Sequence, residues 1–410
     1  MKVLIFGVAL TLSLLTAAEP PADATASPRI PGVPAEFAAV AKANLAKRPA
    51  LKLRLRISRA SLPKLRAQPN WNVVEDKPIT AASKDPHDYF STGTYWWPDP
   101  AKPDGLPYIR RDGYINPATT KLDNYKVQQM RLKVLPLAAL AYFEGDREAG
   151  KIAVGQLKKF FLDPKTRMNP NLKYSQAIPG RCDGRPEGLI DAYMFADVID
   201  AAAMLRASGD LSDAEYDGLR QWFGEFGRWL ETDPMSMRDR DASHNHGLAW
   251  QLMVILCAEF SGDRATALEH ARKIPGLIVR AIREDGVMPA EAARPTSWDY
   301  HMFAMGMVMR LCAALRPLGI DLLAPDSESG KRIRLTLDMM AKIIPDKKWP
   351  LQQVQPIRLD YMGGLLMRMH TMTGEAKWLE PYRRLEVPRA DMIAELFFSP
   401  DGLWGHDRKP

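Results

Sequence analysis

Gly188-Leu189-Ile190-Asp191-Ala192-Tyr193-Met194-Phe195-Ala196-Asp197-Val198-Ile199-Asp200-Ala201-Ala202-Ala203-Met204-Leu205 is the stretch that decides the fold. Its apolar residues Leu189, Ile190, Tyr193, Met194, Val198, Ile199, Ala202 and Met204 recur at helical spacing, with Asp191, Asp197 and Asp200 between them. That period predicts an amphipathic helix with one face in a core. The same pattern marks Lys133 to Phe143, Ala149 to Phe161, Asp213 to Leu230, Gly247 to Phe260, Ala265 to Ile282, Tyr300 to Leu315, Lys331 to Ile344, Arg358 to Thr373 and Leu379 to Phe397. The breaks carry turn chemistry: Glu144-Gly145-Asp146, Ser208-Gly209-Asp210, Ser261-Gly262-Asp263 and Glu284-Asp285-Gly286. Ser212 followed by Glu215 is a helix-start signature. Leu53 to Ile57 is the best short strand candidate.

Helices joined by short turns pack as antiparallel pairs. No clean repeat of fixed period is visible, which disfavours a TPR or HEAT array. The expected fold is all-α: helical hairpins in a ring, an incomplete α/α toroid of about six or seven hairpins with a cleft where the loops of one rim converge.

The N-terminus reads separately. Lys2, the apolar run Val3 to Leu15 and the small residues Thr16-Ala17-Ala18 form a secretory signal peptide over residues 1–18, too short for a membrane span. Residues 19–34, rich in Ala and Pro, read as a flexible leader. Residues 35–410 then form one domain, periplasmic or secreted. Three cysteines, Cys182, Cys257 and Cys312, do not make a disulfide framework, so packing must supply stability.

The 410 residues are 46% hydrophobic and 26% charged, which excludes disorder, collagen and coiled coil as the main state. Lys plus Arg is 56 against 49 for Asp plus Glu, a net +7. The excess is spread out, with no basic run of the kind that binds nucleic acid. No P-loop, Gly-rich phosphate loop, Gly-x-Ser-x-Gly elbow or CxxC is present, which disfavours ATP, nicotinamide and serine-hydrolase chemistry.

Three segments could carry chemistry. Ser83 to Pro117 breaks the helical rule and gathers Tyr89, Phe90, Tyr95, Trp96, Trp97, Tyr108 and Tyr114 beside Arg110 and Arg111. A long ordered loop is usually functional. Flat aromatic faces stack on sugar rings and Arg forks hold carboxylates, although the same residues could simply clamp the loop. The second segment is Ser243-His244-Asn245-His246-Gly247, directly before an apolar helix. It reads as a His-x-His metal site short of further ligands, as a helix cap through Asn245, or as an active-site pair in which Asn245 donates to an anion beside His246. The third is Glu291 to His301, with Arg294 in a non-periodic stretch and Tyr300 entering a helix. A Tyr at such a position is more often packed than catalytic.

These segments together resemble the alginate lyase family with an α/α toroid fold. The likeness rests on His87-Asp88-Tyr89-Phe90-Ser91, Tyr95-Trp96-Trp97-Pro98-Asp99-Pro100, Asp104 to Gly113, Asn116-Pro117, Tyr174 to Gly180, Asn245-His246-Gly247, Glu291-Ala292-Ala293-Arg294 and Ser297-Trp298-Asp299-Tyr300. His244 stands where relatives commonly carry another Asn. The resemblance implies a polysaccharide lyase that cleaves a 1,4-linked polyuronate by β-elimination, with alginate and its poly-mannuronate stretches as the first substrate. A glucuronan-type polymer is the alternative, and a non-catalytic polysaccharide-binding protein the second alternative. It implies Asn245, His246, Arg294 and Tyr300 as catalytic residues. Tyr95, Trp96, Trp97, Arg110, Gln176 and His244 become the substrate contacts. No cofactor and no metal are expected; the partner is an acidic polysaccharide, without nucleic acid or membrane, and the chain is a monomer or weak homodimer.

The chemistry explains the residue types. A lyase removes the proton on C5, alpha to the C6 carboxylate, and expels the 4-linked oxygen. Asn245 and Arg294 would stabilise the dianionic, enolate-like intermediate. Tyr300 is the preferred acid, and a nearby cation would lower its pKa enough for it to act also as base. In mannuronate and glucuronate the C5 proton and O4 leave from one face, so Tyr300 could do both. In guluronate they leave from opposite faces, and His246 would be the base.

Overall fold

The computed structural model describes residues 29–385 and 391–399. The expected signal peptide and residues 19–28 of the leader lie outside the described residues. The rest of the leader is part of the fold: Ile30 and Val33 are buried, and the Gly32 amide donates to Asp200 Oδ1 at 2.9 Å. A buried carboxylate that accepts a backbone N–H outweighs the low-complexity look of the segment.

Helices dominate, as expected. They are α1 (Ala35–Ala43), α2 (Pro49–Ala67), α3 (Asp123–Glu144), α4 (Arg147–Leu157), α5 (Phe195–Ala207), α6 (Asp213–Thr232), α7 (Asn245–Ser261), α8 (Arg264–Ala271), α9 (Ile274–Ala281), α10 (Pro289–Ala292), α11 (Ser297–Leu315), α12 (Glu328–Lys342), α13 (Met362–Thr373), α14 (Leu379–Arg383) and α15 (Met392–Phe397). Seven of them form a ring. α2 packs on α3, α3 on α5, α5 on α7, α7 on α11, α11 on α13, α13 on α15, and α15 returns to α2. α4, α6 and α8 cover the outside of α3 and α7, and α12 covers α9 and α13. The inner helices α7 and α11 are apolar almost all round and are buried along their length, as a helix between two layers must be. This is the all-α toroid.

The ring encloses a cavity of about 1060 Å³ lined by α2, α3, α5, α11, α13 and α15. Its charges are paired: Arg310 with Asp197 and Asp200, Arg368 with Asp391, and Arg54 with Glu395. Pairing of this kind is what makes buried charge tolerable.

Four expectations from the sequence need correction. Leu53 to Ile57 is not a strand but the middle of α2, whose buried face runs through Leu51, Leu55 and Ser58 at helical spacing and leaves Ile57 exposed. The stretch Gly188 to Leu205 begins as a 3₁₀ helix, Pro186–Met194, and becomes α-helical only at Phe195. Here the short strand Tyr174–Ala177 lies so close that a Cβ on Gly188 would stand 2.2 Å from Ser175 Oγ. Ala265 to Ile282 is two helices, α8 and α9, the second opening with Pro275 in its first turn. Leu379 to Phe397 is also split, into α14 and α15.

The loop region holds four short strands: β1 (Phe90–Thr92), β2 (Trp96–Trp97), β3 (Ile109–Arg110) and β4 (Tyr174–Ala177). β1 pairs in parallel with β4, and β2 pairs antiparallel with β3. The aromatic loop is thus a small hairpin anchored on the toroid rim.

Candidate active site

The start of α7 builds one wall. Residues 239–242 cross so closely over the first turn of α7 that a Cβ on Gly247 would meet the Ala242 carbonyl at 1.8 Å. Only glycine admits that approach, and it brings Asp239 against His246: Nδ1 lies 3.1 Å from Asp239 Oδ2. With Nδ1 held by a carboxylate, Nε2 is left as the ring's free nitrogen. His244 is the helix cap, its Nδ1 accepting the His246 amide at 3.3 Å. Burial, then the nearby His246, holds the His244 pKa below its ordinary value. The cap reading proposed for Asn245 therefore belongs to His244.

Asn245 is buried and meets an anion of the protein itself. Its backbone N–H donates to Glu291 Oε1 at 2.7 Å, and its Nδ2 donates to Glu291 Oε2 at 2.8 Å. Burial pushes the Glu291 pKa up, against the two bonds from Asn245 and the charges of His246 and Arg294.

α10 and the start of α11 build the opposite wall. Arg294 follows Glu291 by one turn, and its amide donates to the Glu291 carbonyl at 3.1 Å. The Arg294 guanidinium lies 3.8 Å above the centre of the Tyr300 ring. Its fork is taken by Asp112 from the aromatic hairpin: Nη2 to Oδ1 at 2.7 Å and Nε to Oδ2 at 3.3 Å. Tyr300 Oη in turn donates to Tyr95 Oη at 3.2 Å. The hairpin thus closes over the site through Asp112 and Tyr95.

The expected lowering of the Tyr300 pKa is overturned. Burial, first, and the neighbouring Tyr95 hydroxyl raise it well above 10; Arg294 only partly offsets them. A cation that stacks on the ring face and spends its hydrogen bonds on Asp112 does little for a phenolate oxygen at the ring edge.

The remaining predicted contacts are placed as follows. Trp96 and Trp97 form β2 and are half-buried; Arg181 covers Trp96 at 5.2 Å and Arg111 covers Trp97 at 4.8 Å. Arg110 is exposed and pairs with Asp112 at 2.9 Å. Gln176 is buried in a left-handed backbone conformation, φ 47°, and both ends of its side chain are engaged. Arg185 Nη2 donates to Gln176 Oε1 at 2.8 Å, and Gln176 Nε2 reaches Asp191 Oδ1 at 3.5 Å. Asp191 also accepts from Tyr89 Oη at 2.7 Å and Ser91 Oγ at 2.9 Å. Burial pushes the Asp191 pKa up, and His246 is close enough to oppose it.

Sequence reasoning missed Asp112, Asp239 and Asp191 as site residues and gave Glu291 no role. Asp239 stands seven positions before His246, a spacing that only the Gly247 crossing makes meaningful. Among the described residues no group of three or more His, Cys, Asp or Glu is arranged to hold a metal ion, so His244 and His246 have no third ligand of that kind. No helix of the described residues is long and apolar enough to cross a membrane.

The family profile described as Alginate lyase matches residues 73–349, more than half of the chain. No curated protein matches. Among solved structures, an alginate lyase from Bacteroides ovatus is 32% identical with a TM-score of 0.84, covering 91% of this chain and 100% of its own. An apo histidine-to-alanine variant of alginate lyase A1-III, 16% identical with a TM-score of 0.50 over 85% of this chain and 94% of its own, shares the fold. With the toroid, the ordered motifs and the family profile in agreement, the chain belongs to the alginate lyase family, and it is a polysaccharide lyase.

Proposed function

We propose that this lyase cleaves alginate by β-elimination, leaving a 4,5-unsaturated uronate at the new end. The observation that carries the reading is the convergence on one rim of Asn245, His246, Arg294 and Tyr300. Glu291 binds Asn245 directly and lies near both His246 and Arg294, and Arg294 stacks on Tyr300. Asn245 and Arg294 would hold the C6 carboxylate as it takes up the second negative charge of the intermediate. On the same-face linkage Tyr300, entering as the phenolate, takes the C5 proton and passes it to O4 as that bond breaks. The poly-mannuronate linkage remains the first substrate on the resemblance, with Tyr300 working on one face.

A second reading is favoured by the raised Tyr300 pKa. A phenol reluctant to ionise keeps its proton, so it is available as the donor to O4 and unavailable as the base. His246, oriented by Asp239, then takes the C5 proton, which suits linkages whose proton and leaving oxygen lie on opposite faces, as in guluronate. Export to the periplasm or beyond, and action as a monomer or weak homodimer, complete the proposal.

The test is the ultraviolet absorbance of the unsaturated product from purified enzyme on poly-mannuronate, poly-guluronate and glucuronan. Product from either alginate block supports the reading, and the preferred block chooses between the two bases. Turnover of glucuronan alone would move the substrate to that polymer. Binding of polyuronate with no product from any of the three would make the chain a carbohydrate-binding protein instead.

A further inference from the structure

We infer that Glu291 is a positioning residue that fixes which end of the Asn245 carboxamide faces the substrate. The inference rests on the lyase reading above and deepens it. A carboxamide has two ends of nearly equal shape, one a donor and one an acceptor, and packing alone does not choose between them. Glu291 does. Its two oxygens receive the backbone N–H and the Nδ2 of the same residue, at 2.7 and 2.8 Å, inside a site where Glu291 is 1% exposed. A carboxylate is an acceptor on both oxygens, so Asn245 Oδ1 cannot occupy the place of Nδ2 without setting acceptor against acceptor. One N–H of the amide is spent on Glu291. The other N–H and Oδ1 are thereby fixed in direction.

The placement has a second consequence. Asn245 opens α7, where first-turn amides have no intrahelical partner. Glu291 satisfies one of them and brings a negative charge to the helix N-terminus, where it is stabilised. The same α10 turn carries Arg294 three residues on, through the Glu291 carbonyl. Both groups assigned to the substrate carboxylate are therefore set by one four-residue helix: Asn245 through the Glu291 side chain, and Arg294 through the Glu291 backbone.

The experiment pairs two variants. Glu291→Gln has the same shape, but one oxygen becomes a donor. Its remaining oxygen can keep the Asn245 backbone N–H, while its Nε2 confronts Asn245 Nδ2, donor against donor, and the amide loses its partner and its fixed direction. We expect kcat to fall by about 10²-fold, the scale for losing one preorganised donor, with KM little changed. In the double variant Glu291→Gln, Asn245→Asp, the new carboxylate accepts from Gln Nε2. The pair is satisfied again, so the melting temperature lost in the single variant returns, but no donor faces the substrate and kcat stays low.

Normal kcat in Glu291→Gln, or a kcat that recovers together with the melting temperature in the double variant, overturns the inference and leaves Glu291 a structural residue. Absence of product from the wild type on every polyuronate sinks the lyase reading instead. The inference is then read by calorimetric affinity for an oligouronate. Weaker binding in Glu291→Gln that the double variant does not restore supports it, and unchanged binding overturns it.

Discussion

Asp112 and Arg294 meet as carboxylate and guanidinium fork, with Nη2 to Oδ1 at 2.7 Å, although 182 residues separate them in the chain. Asp112 presents to Arg294 the same chemical group that a uronate would. Burial alone would raise the Asp112 pKa; the bond and charge of Arg294 win and hold it below the ordinary carboxylate value. If Arg294 holds the substrate carboxylate as proposed, the substrate displaces Asp112 or shares Arg294 with it. Asp112→Asn removes the competing charge. The pair is partly exposed and worth about 0.5–1 kcal/mol, so KM for polyuronate should fall by about two- to fivefold. An unchanged or higher KM in initial-rate measurements would mean that Asp112 helps to hold Arg294 rather than competing for it.

Tyr300→Phe keeps the ring beneath Arg294 and removes the proton. We expect kcat to fall at least ~10²-fold with thermal stability nearly unchanged. Near-normal product formation by this variant would remove Tyr300 from the mechanism.

The two candidate bases separate by substrate. His246→Ala should cost more on guluronate than on mannuronate linkages if His246 acts only on the opposite face. Asp239→Asn should reproduce part of that loss, about 10-fold or more in kcat, because it releases the ring nitrogen that sets which side of the imidazole faces the substrate. Equal losses on both polymers would make His246 the base for each.

The helices were legible in the sequence because burial imposes a period, and the period survives without knowledge of the partner. The start of α6 at Ser212 and Glu215 is an example: the reciprocal side-chain and backbone bonds are present. What failed was local and three-dimensional. Leu53 to Ile57 alternates like a strand, but the alternation sits inside a longer helix-forming run. Tyr300 sits beside a cation, yet its pKa depends on burial, which no neighbouring residue in the sequence reports. Asp112, Asp239 and Glu291 were unread as partners for the same reason. Each acts through one contact made by the fold, and a lone acidic residue in a loop carries no signal of what it will touch.

Alkaline pH should test the buried phenols. Burial raises Tyr89 well above 10 and Tyr193 to about 12, and Tyr300 is raised as well. The folded state thus holds these protons more tightly than the unfolded chain, where a tyrosine titrates at about 10. Their stabilising contribution is complete below that value and is lost as pH rises through and beyond it. The melting temperature should fall from about pH 9 to about pH 11, and Tyr193→Phe should flatten the fall. A melting temperature independent of pH over that range would contradict the burial of these groups.

Arg310 with Asp200 should be the costliest pair to break. Arg310 Nη2 lies 2.5 Å from Asp200 Oδ2, and Asp200 also holds the Gly32 amide. Asp200→Ala strands a buried guanidinium and frees residues 29–34, so we expect a loss of about 3–5 kcal/mol in urea unfolding. A loss below about 1 kcal/mol would show that water or Asp197 takes over the charge.

The ring closes where α15 returns to α2, with Glu395 against Arg54 and Phe397 against Tyr142 and Phe143. Those contacts join the first third of the chain to a helix that begins at Met392. On the ribosome, which makes a chain from its N-terminus, α2 waits through the synthesis of more than three hundred residues for the helix that covers it. Until α15 emerges, the growing protein is an open crescent with apolar side chains along one edge. A stop before Met392 would fix it in that shape, with the motifs of the rim already made but the ring unsealed, a species suited to capture by chaperones rather than to catalysis.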